Sequence, residues 1–155
     1  MHLKKDINNN ASNFEVLGPA GDSNLGGEDF DNKLVELVLN KVKKLTDINK
    51  IKENKKTMKK LKVYCEHIKK LLSISELANL RIHDIIEKVN INERIFMREF
   101  EKECQPLFDK LYPPIEKALN IAKLKKEEIN EVILEGGSTR IPKIKEIIKE
   151  YFPNS

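Results

Sequence analysis

Apolar residues recur at intervals of three and four in several parts of the chain, and this spacing predicts amphipathic helices. The first such stripe follows residue 26 and consists of Phe30, Leu34, Leu37, Val38 and Val42. Acidic residues occupy its first turn, where the helix dipole favours them. The stripe of the next predicted helix consists of Met58, Leu61, Cys65, Ile68 and Leu72. Thr46 or Asp47 is placed to cap that second helix.

The period changes to two in ELANLRIHDIIEKVNINERIF, which predicts a hairpin of two strands. Leu80, Ile82 and, by continued alternation, Asp84 are expected to share one face, and His83 is read as a surface residue. A further helical stripe consists of Phe100, Cys104, Leu107, Phe108 and Leu111. Pro113 and Pro114 are expected to end that helix and begin another.

Strand-like segments also occur near both ends of the chain. FEVLGPAG reads as a short strand and a turn, and NEVILEGG reads as a strand before the helix STRIPKIKEIIKEYF, which has Pro142 in its opening turn. Two units are therefore expected, a small α/β layer built from the two ends and an inserted helix-rich α+β unit.

Composition limits the class of protein. The 155 residues are 39% hydrophobic and 35% charged, which is typical of a polar globular protein and not of a disordered one. No apolar run is long enough for a membrane span, and MHLKKDINNNASN contains no segment typical of a signal peptide. Cys65 and Cys104 are interpreted as reduced core thiols of an intracellular protein, and no Cys/His spacing indicates a metal site.

The net charge of +4 comes mainly from the segment KVKKLTDINKIKENKKTMKKLK. Such a segment is either a nucleic-acid-binding face or a pair of solvated, lysine-rich helices. No aromatic or arginine residues interleave with these lysines to stack on bases, and this favours the solvated helices.

Two patterns are candidates for chemistry. On the second helix, a polar set at helical spacing consists of Glu66, Lys69, Lys70 and Ser73. This face lies roughly 120° around the helix from the apolar stripe, so it is either an ordinary surface with a Glu66–Lys70 ion pair or a binding face. The second pattern is the strand, glycine turn and helix start of ILEGGSTRIPK, which suits an anion or nucleotide site but also a tight connection.

Four segments follow one another in a familiar order: GDSNLGGEDFDNKLV, CEHIKKLLSIS, FEKECQPLF and IEKALNIAKLKKEEINEVILEGGSTRIPKI. Their order and spacing resemble the seventy-kilodalton heat-shock chaperone family, over about residues 14–153. The resemblance implies an actin-like, ribonuclease-H-like ATPase domain, of which this chain looks like the second lobe. Residues 1–26 and 105–155 would form its base, and residues 27–104 its upper subdomain. The first lobe, a glycine-rich phosphate loop and the peptide-binding domain would belong to a longer parent chaperone.

The resemblance also implies roles for the glycine turn. Gly136, Gly137 and Ser138 would pass under the nucleoside of a bound adenine nucleotide, where side chains on the glycines would collide with it. Arg140 would stack its guanidinium on the adenine face.

The polar face of the second helix receives roles in the same way. Glu66 and Lys69 would bind ribose hydroxyls, and Ser73 would meet the adenine edge. Gly26 and Gly27 would border the ribose and the phosphates.

Two positions depart from the family pattern. Lys70 stands where the family usually has an arginine, which keeps the charge but loses a flat stacking surface. Glu135 stands where an apolar residue is usual, so its carboxylate needs solvent or a partner.

The implied cofactor is ATP or ADP, with magnesium in the intact parent, and no catalytic residue is assigned to this chain. We expect it to bind adenine nucleotides weakly, if at all, and not to hydrolyse them. The implied partners are a nucleotide-exchange factor on the upper subdomain, the first lobe and the peptide-binding domain, without nucleic acid or membrane. A cytoplasmic location is expected, with the endoplasmic reticulum or mitochondrion as alternatives. The competing hypotheses are a basic nucleic-acid-binding module and a structural adaptor that has lost its nucleotide.

Overall fold

The amino-terminal segment forms a small antiparallel hairpin in the computed structural model, which describes residues 2–5 and 12–155, with side chains from residue 15 onwards. Strand β1 (His2–Lys5) pairs with β2 (Ser12–Glu15). The strand predicted from FEVLGPAG is thus present, but it begins earlier and ends at Glu15. Residues 1 and 6–11 of the expected base lie outside the described residues.

Three helices follow, and their boundaries are set by capping. Helix α1 spans Gly27–Val42, α2 spans Ile48–Glu53 and α3 spans Lys55–Leu72. The Asp47 carboxylate accepts the backbone N–H of Asn49 at 2.9 Å, which confirms Asp47 as the cap. One helix was predicted after this cap, but Asn54 adopts an extended conformation and starts a second one by accepting the N–H of Thr57 at 3.1 Å.

The predicted hairpin is confirmed as β3 (Leu77–Ile86) and β4 (Val89–Phe96), joined at Glu87 and Lys88. Both turn residues have positive φ, as a tight hairpin turn requires. The grouping of Asp84 with the inward residues is wrong. The pairing register shifts between Ile82 and Ile86, Asp84 is exposed with φ of 47°, and Ile85 takes the buried position.

The remaining helices are α4 (Met97–Asp109), α5 (Tyr112–Ala122) and α6 (Pro142–Tyr151). Short 3₁₀ turns span Lys126–Glu128 and Gly137–Arg140. Proline at the start of α5 and of α6 agrees with the predicted helix starts, because the missing N–H is not needed there.

The core is aliphatic and lies mainly between α1, α3, α4 and the β3–β4 hairpin. The rings of Phe30 and Phe108 lie 5.7 Å apart within it, and both cysteines are buried and free, as expected of core thiols. From α6, Ile144 and Ile147 also join the buried cluster. The helix stripes therefore point inwards as the spacing predicted.

The strand predicted from NEVILEGG is wrong. Residues 129–135 have no regular structure, and the side chain of Ile133 is 67% exposed. A strand needs a neighbour to satisfy its backbone hydrogen bonds, and the described strands pair within their own hairpins, β1 with β2 and β3 with β4. The described part of the chain is thus a mixed fold of helices and two hairpins, and its assignment to one lobe stays a prediction.

Candidate functional site

The start of α1 brings bare backbone to the surface. Gly26 is the extended N-cap residue, and its N–H donates to the Asp29 carboxylate at 2.8 Å. Gly27 is the first helical residue. With Glu28 and Asp29 in the first turn, the acidic side chains interact favourably with the positive end of the helix dipole.

The polar face of α3 contains one exposed ion pair and one nearly buried lysine. Lys70 donates to Glu66 at 2.8 Å on the surface, and this hydrogen bond lowers the pKa of Glu66. Lys69 instead turns inwards, and its side chain is only 13% exposed. Ser73 ends the helix, and its hydroxyl donates to the carbonyl oxygen of Lys69 at 3.1 Å. The four residues of this face therefore differ in environment although they share a helical spacing.

The Lys69 ammonium connects α3 to the start of α1. It donates to the Gly27 carbonyl at 2.9 Å and lies 2.8 Å from Oδ1 of Asp31. From the sequence, Asp31 was expected only as an acidic residue of the first turn of α1; the first turn contains Glu28 and Asp29. Asp31 was not among the predicted site residues. Its one available signal was its position four residues after Gly27, which puts both on the same side of the helix.

The glycine turn before α6 has the conformation that glycine permits. Gly136 has φ of 101°, which is strained for other residues. The Thr139 hydroxyl closes the turn by donating to the Gly136 carbonyl at 2.7 Å. A Cβ atom placed on Gly136 or Gly137 would meet nothing within 4 Å, so open space lies beside this backbone. Arg140, at the end of the turn, is exposed.

These elements meet at Gly27. A Cβ atom on Gly27 would lie 3.4 Å from the Ser138 hydroxyl oxygen and 3.5 Å from the Lys69 ammonium nitrogen. The structure thus brings together one predicted residue from α1, one from α3 and one from the glycine turn.

Other predicted residues lie around this junction in two separate hollows. The first has a volume of about 290 Å³ and is lined by Glu28, Asp31, Asn32, Lys59, Lys62, Val63 and Glu66. The second has a volume of about 440 Å³ and is lined by Leu134, Glu135, Gly136, Gly137, Thr139, Arg140 and Lys145. The two hollows share no lining residue. Of the predicted site residues, Glu66 lines the first hollow and Gly136, Gly137 and Arg140 line the second. The remaining predicted residues line neither: Gly26, Gly27, Lys69, Lys70, Ser73 and Ser138. Glu135 is exposed, so its carboxylate reaches solvent.

Among the described residues, no cluster of three or more His, Cys, Asp or Glu side chains is arranged to hold a metal. Within the same part of the chain, every helix is too short or too polar to cross a membrane.

Comparison with known proteins supports the resemblance seen in the motifs. The sequence model of the family described as Hsp70 protein matches residues 7–155. The chain is 40% identical over 139 residues to the heat shock cognate 70 kDa protein 3 of Dictyostelium discoideum, which covers 90% of this chain and 22% of that protein. It is 37% identical over 139 residues to the heat shock 70 kDa protein of Neurospora crassa, covering 90% of this chain and 21% of that protein.

A third relative, the heat shock 70 kDa protein of Penicillium citrinum, is 37% identical over 139 residues, or 90% of this chain and 27% of that protein. The chain thus spans about a fifth to a quarter of the length of these relatives. The family match covers nearly the whole sequence and agrees with the motifs that surround Gly27, Lys69 and Gly136. The chain belongs to the Hsp70 family.

Proposed function

We propose that this chain forms the adenosine side of the nucleotide-binding cleft of an ATP-dependent Hsp70 chaperone, as the second lobe of its ATPase domain. The observation that carries the proposal is the meeting of Gly27, Lys69 and Ser138, which come from three separate elements. The family relationship supports the assignment, because the motifs that match include all three residues.

The residues present fit a nucleoside. The open space beside Gly136 and Gly137 leaves room for a sugar and a flat base against the backbone. Arg140 is exposed at the edge of that space and is available to stack on adenine.

On the α3 side, hydrogen-bonding capacity remains for ribose and base. Glu66 uses one carboxylate oxygen for Lys70 and keeps the other. Ser73 donates its proton to Lys69 and keeps an acceptor for the adenine edge. Lys70 is occupied by Glu66 at the surface, so its part is to orient that carboxylate.

When bound, the nucleotide supplies the phosphoryl group whose hydrolysis drives the chaperone cycle, with magnesium on the phosphates. The proposed residues hold the nucleoside and do not provide the lysine, aspartates and phosphate loops that position a phosphoryl group. We therefore expect weak binding by this chain and no hydrolysis. In the parent, movement of the upper subdomain, residues 27–104, would open the cleft for ADP release, and a nucleotide-exchange factor would bind that subdomain.

The proposal is tested by titrating the isotope-labelled chain with adenosine and following backbone amide shifts by NMR. We expect saturable shifts at Gly27, Ser138 and Arg140, and weaker binding of uridine, whose smaller ring stacks less well on the guanidinium.

Replacement Arg140→Ala should weaken adenosine binding about twofold to fivefold, because an exposed cation–π contact contributes about 0.5–1 kcal/mol. The matched control is Arg94→Ala, which removes an exposed arginine from β4. If adenosine and uridine gave equal or no shifts, the proposal would be wrong. Salt-dependent binding of duplex DNA, with no effect of adenosine, would instead support the basic nucleic-acid-binding module.

A further inference from the structure

The buried ammonium of Lys69 has two oxygen neighbours on α1. The Gly27 carbonyl accepts from it at 2.9 Å, and Asp31 Oδ1 lies 2.8 Å away. Both side chains of this ion pair are largely shielded from water, with 13% of Lys69 and 15% of Asp31 exposed. Unlike the surface pair Lys70–Glu66, this pair is thus in a position where charge interactions are weakly screened.

The two charges depend on each other. Asp31 Oδ1 is fully buried and receives no well-aligned hydrogen bond from the described residues, so the nearby ammonium compensates its charge. A buried carboxylate without compensation is unfavourable. Asp31 therefore holds the Lys69 ammonium at the Gly27 junction.

The geometry leaves Lys69 with binding capacity. An ammonium group has three N–H donors. One donates to the Gly27 carbonyl, and Asp31 Oδ1 lies 2.8 Å from the nitrogen without accepting a well-aligned hydrogen bond, so the ammonium keeps donor capacity for a ligand beside Gly27. Because the lysine side chain has four rotatable bonds, an ammonium that is already held loses less conformational entropy when a ligand binds.

We propose that Asp31 is a positioning residue for nucleoside binding: it orients the Lys69 ammonium so that its remaining donor meets a ribose hydroxyl. This inference rests on the proposed function and extends it to a residue outside the predicted set. Asp31 acts through Lys69.

The test is a double-mutant cycle on the 155-residue chain, with dissociation constants for adenosine measured by NMR. The variants are Asp31→Asn, Lys69→Met and the double variant. Asp31→Asn should weaken adenosine binding about tenfold, a loss typical of one charged hydrogen bond. In the Lys69→Met background, the same change should have no further effect.

A second ligand separates positioning from general damage. 2′,3′-Dideoxyadenosine lacks the 2′- and 3′-hydroxyls of the ribose, so Asp31→Asn should bind it as well as the unmodified chain does. The matched control is Glu36→Gln. Glu36 lies on the same helix as Asp31, and its carboxylate pairs with Lys33 on the surface. This control should bind adenosine normally.

Thermal unfolding of each variant shows whether it is folded. If Asp31→Asn is not, Asp31→Glu replaces it in the cycle, since it keeps the charge but displaces it by one methylene group, and the same dependence on Lys69 is expected. Unchanged adenosine binding by the folded variant would overturn the inference, as would an equal loss in both backgrounds or an equal loss for the dideoxy ligand. Failure of the unmodified chain to bind adenosine would refute the proposed function itself, and the inference with it.

Discussion

Glu99 connects two helices of the core, and its removal offers a direct test of the electrostatics. One carboxylate oxygen accepts the backbone N–H of Phe96 at 3.1 Å, at the start of α4. The other accepts from Lys41 of α1 at 2.8 Å. In this ion pair the side chain of Lys41 is 23% exposed and that of Glu99 33%, so solvent screens the interaction only in part.

We expect Glu99→Gln to lower the free energy of unfolding by about 1 kcal/mol at neutral pH. Glutamine keeps an oxygen for the Phe96 N–H but cannot pair with the ammonium, and partly exposed ion pairs contribute up to about 1 kcal/mol. The charge-assisted strength of the N–H bond is lost as well. For a chain of this length, the melting temperature should fall by about 2–4 °C.

The effect should depend on pH in a defined direction. Burial opposes ionisation of Glu99, but the hydrogen bonds from Lys41 and from the Phe96 N–H prevail and lower its pKa. A carboxyl group with a lowered pKa stabilises the fold above its unfolded pKa of about 4.3, and this contribution is lost as pH falls through the folded pKa. The difference between the wild-type chain and Glu99→Gln should therefore be largest near neutrality and shrink below about pH 4.

Glu101, on the same helix, is the matched control because its surroundings shift its pKa in the opposite direction. Burial raises its pKa; Lys143 opposes the shift and Glu146 adds to it. The ionised form is thus disfavoured in the folded state at neutral pH, and this cost disappears below the unfolded pKa. Glu101→Gln should leave the chain as stable as wild type, or more so, at neutral pH.

Urea unfolding followed by circular dichroism, between about pH 7 and about pH 3, measures both variants. Three results would each refute the reasoning: no loss of stability in Glu99→Gln, a loss that persists unchanged in acid, or an equal loss in Glu101→Gln.

Two further predictions concern packing and thiol chemistry. Gly18→Ala should lower the melting temperature, because the added Cβ would clash with the carbonyl oxygen of Ala118 and force residue 18 away from α5. The control is Gly21→Ala, whose Cβ would meet nothing within 4 Å. Equal melting temperatures of the two variants would contradict the close contact at Gly18. Burial raises the pKa of the Cys65 and Cys104 thiols to about 12, so alkylation of the native chain at neutral pH should be slow and should accelerate with added urea. Rapid labelling without urea would show that these thiols are not protected.

The local elements followed from local signals. Asp47 is a helix cap as predicted, but it caps the short helix α2, and Asn54 caps the helix that carries the Leu61 stripe. The stripes of Phe30 and Leu61 face the core because both helices have one apolar side. The break between α2 and α3 at Asn54 was not predicted, although the cap that marks it is also local. The apolar spacing continues across the break, and this concealed a single residue with an extended backbone. The bulge at Asp84 was missed because strict alternation cannot represent an extra residue.

The strand expected around Ile133 shows the limit of pattern reading. Its sequence has the composition of a strand, but strand formation depends on a partner elsewhere in the chain, and the described strands pair within their own hairpins. The composition of a segment shows that it is compatible with a strand, but it does not show whether a partner strand lies beside it.

The sequence by itself determined the helices, the hairpin and the membership of the Hsp70 family, because caps, periodicity and ordered motifs are carried by residues close together in the chain. Only the tertiary structure decided that Lys69 turns inwards to Asp31 while Lys70 stays at the surface, although both occupy the same face of α3. The physical reason is that helical spacing gives a side chain its direction, whereas its partner depends on what another element brings within about 3 Å of it.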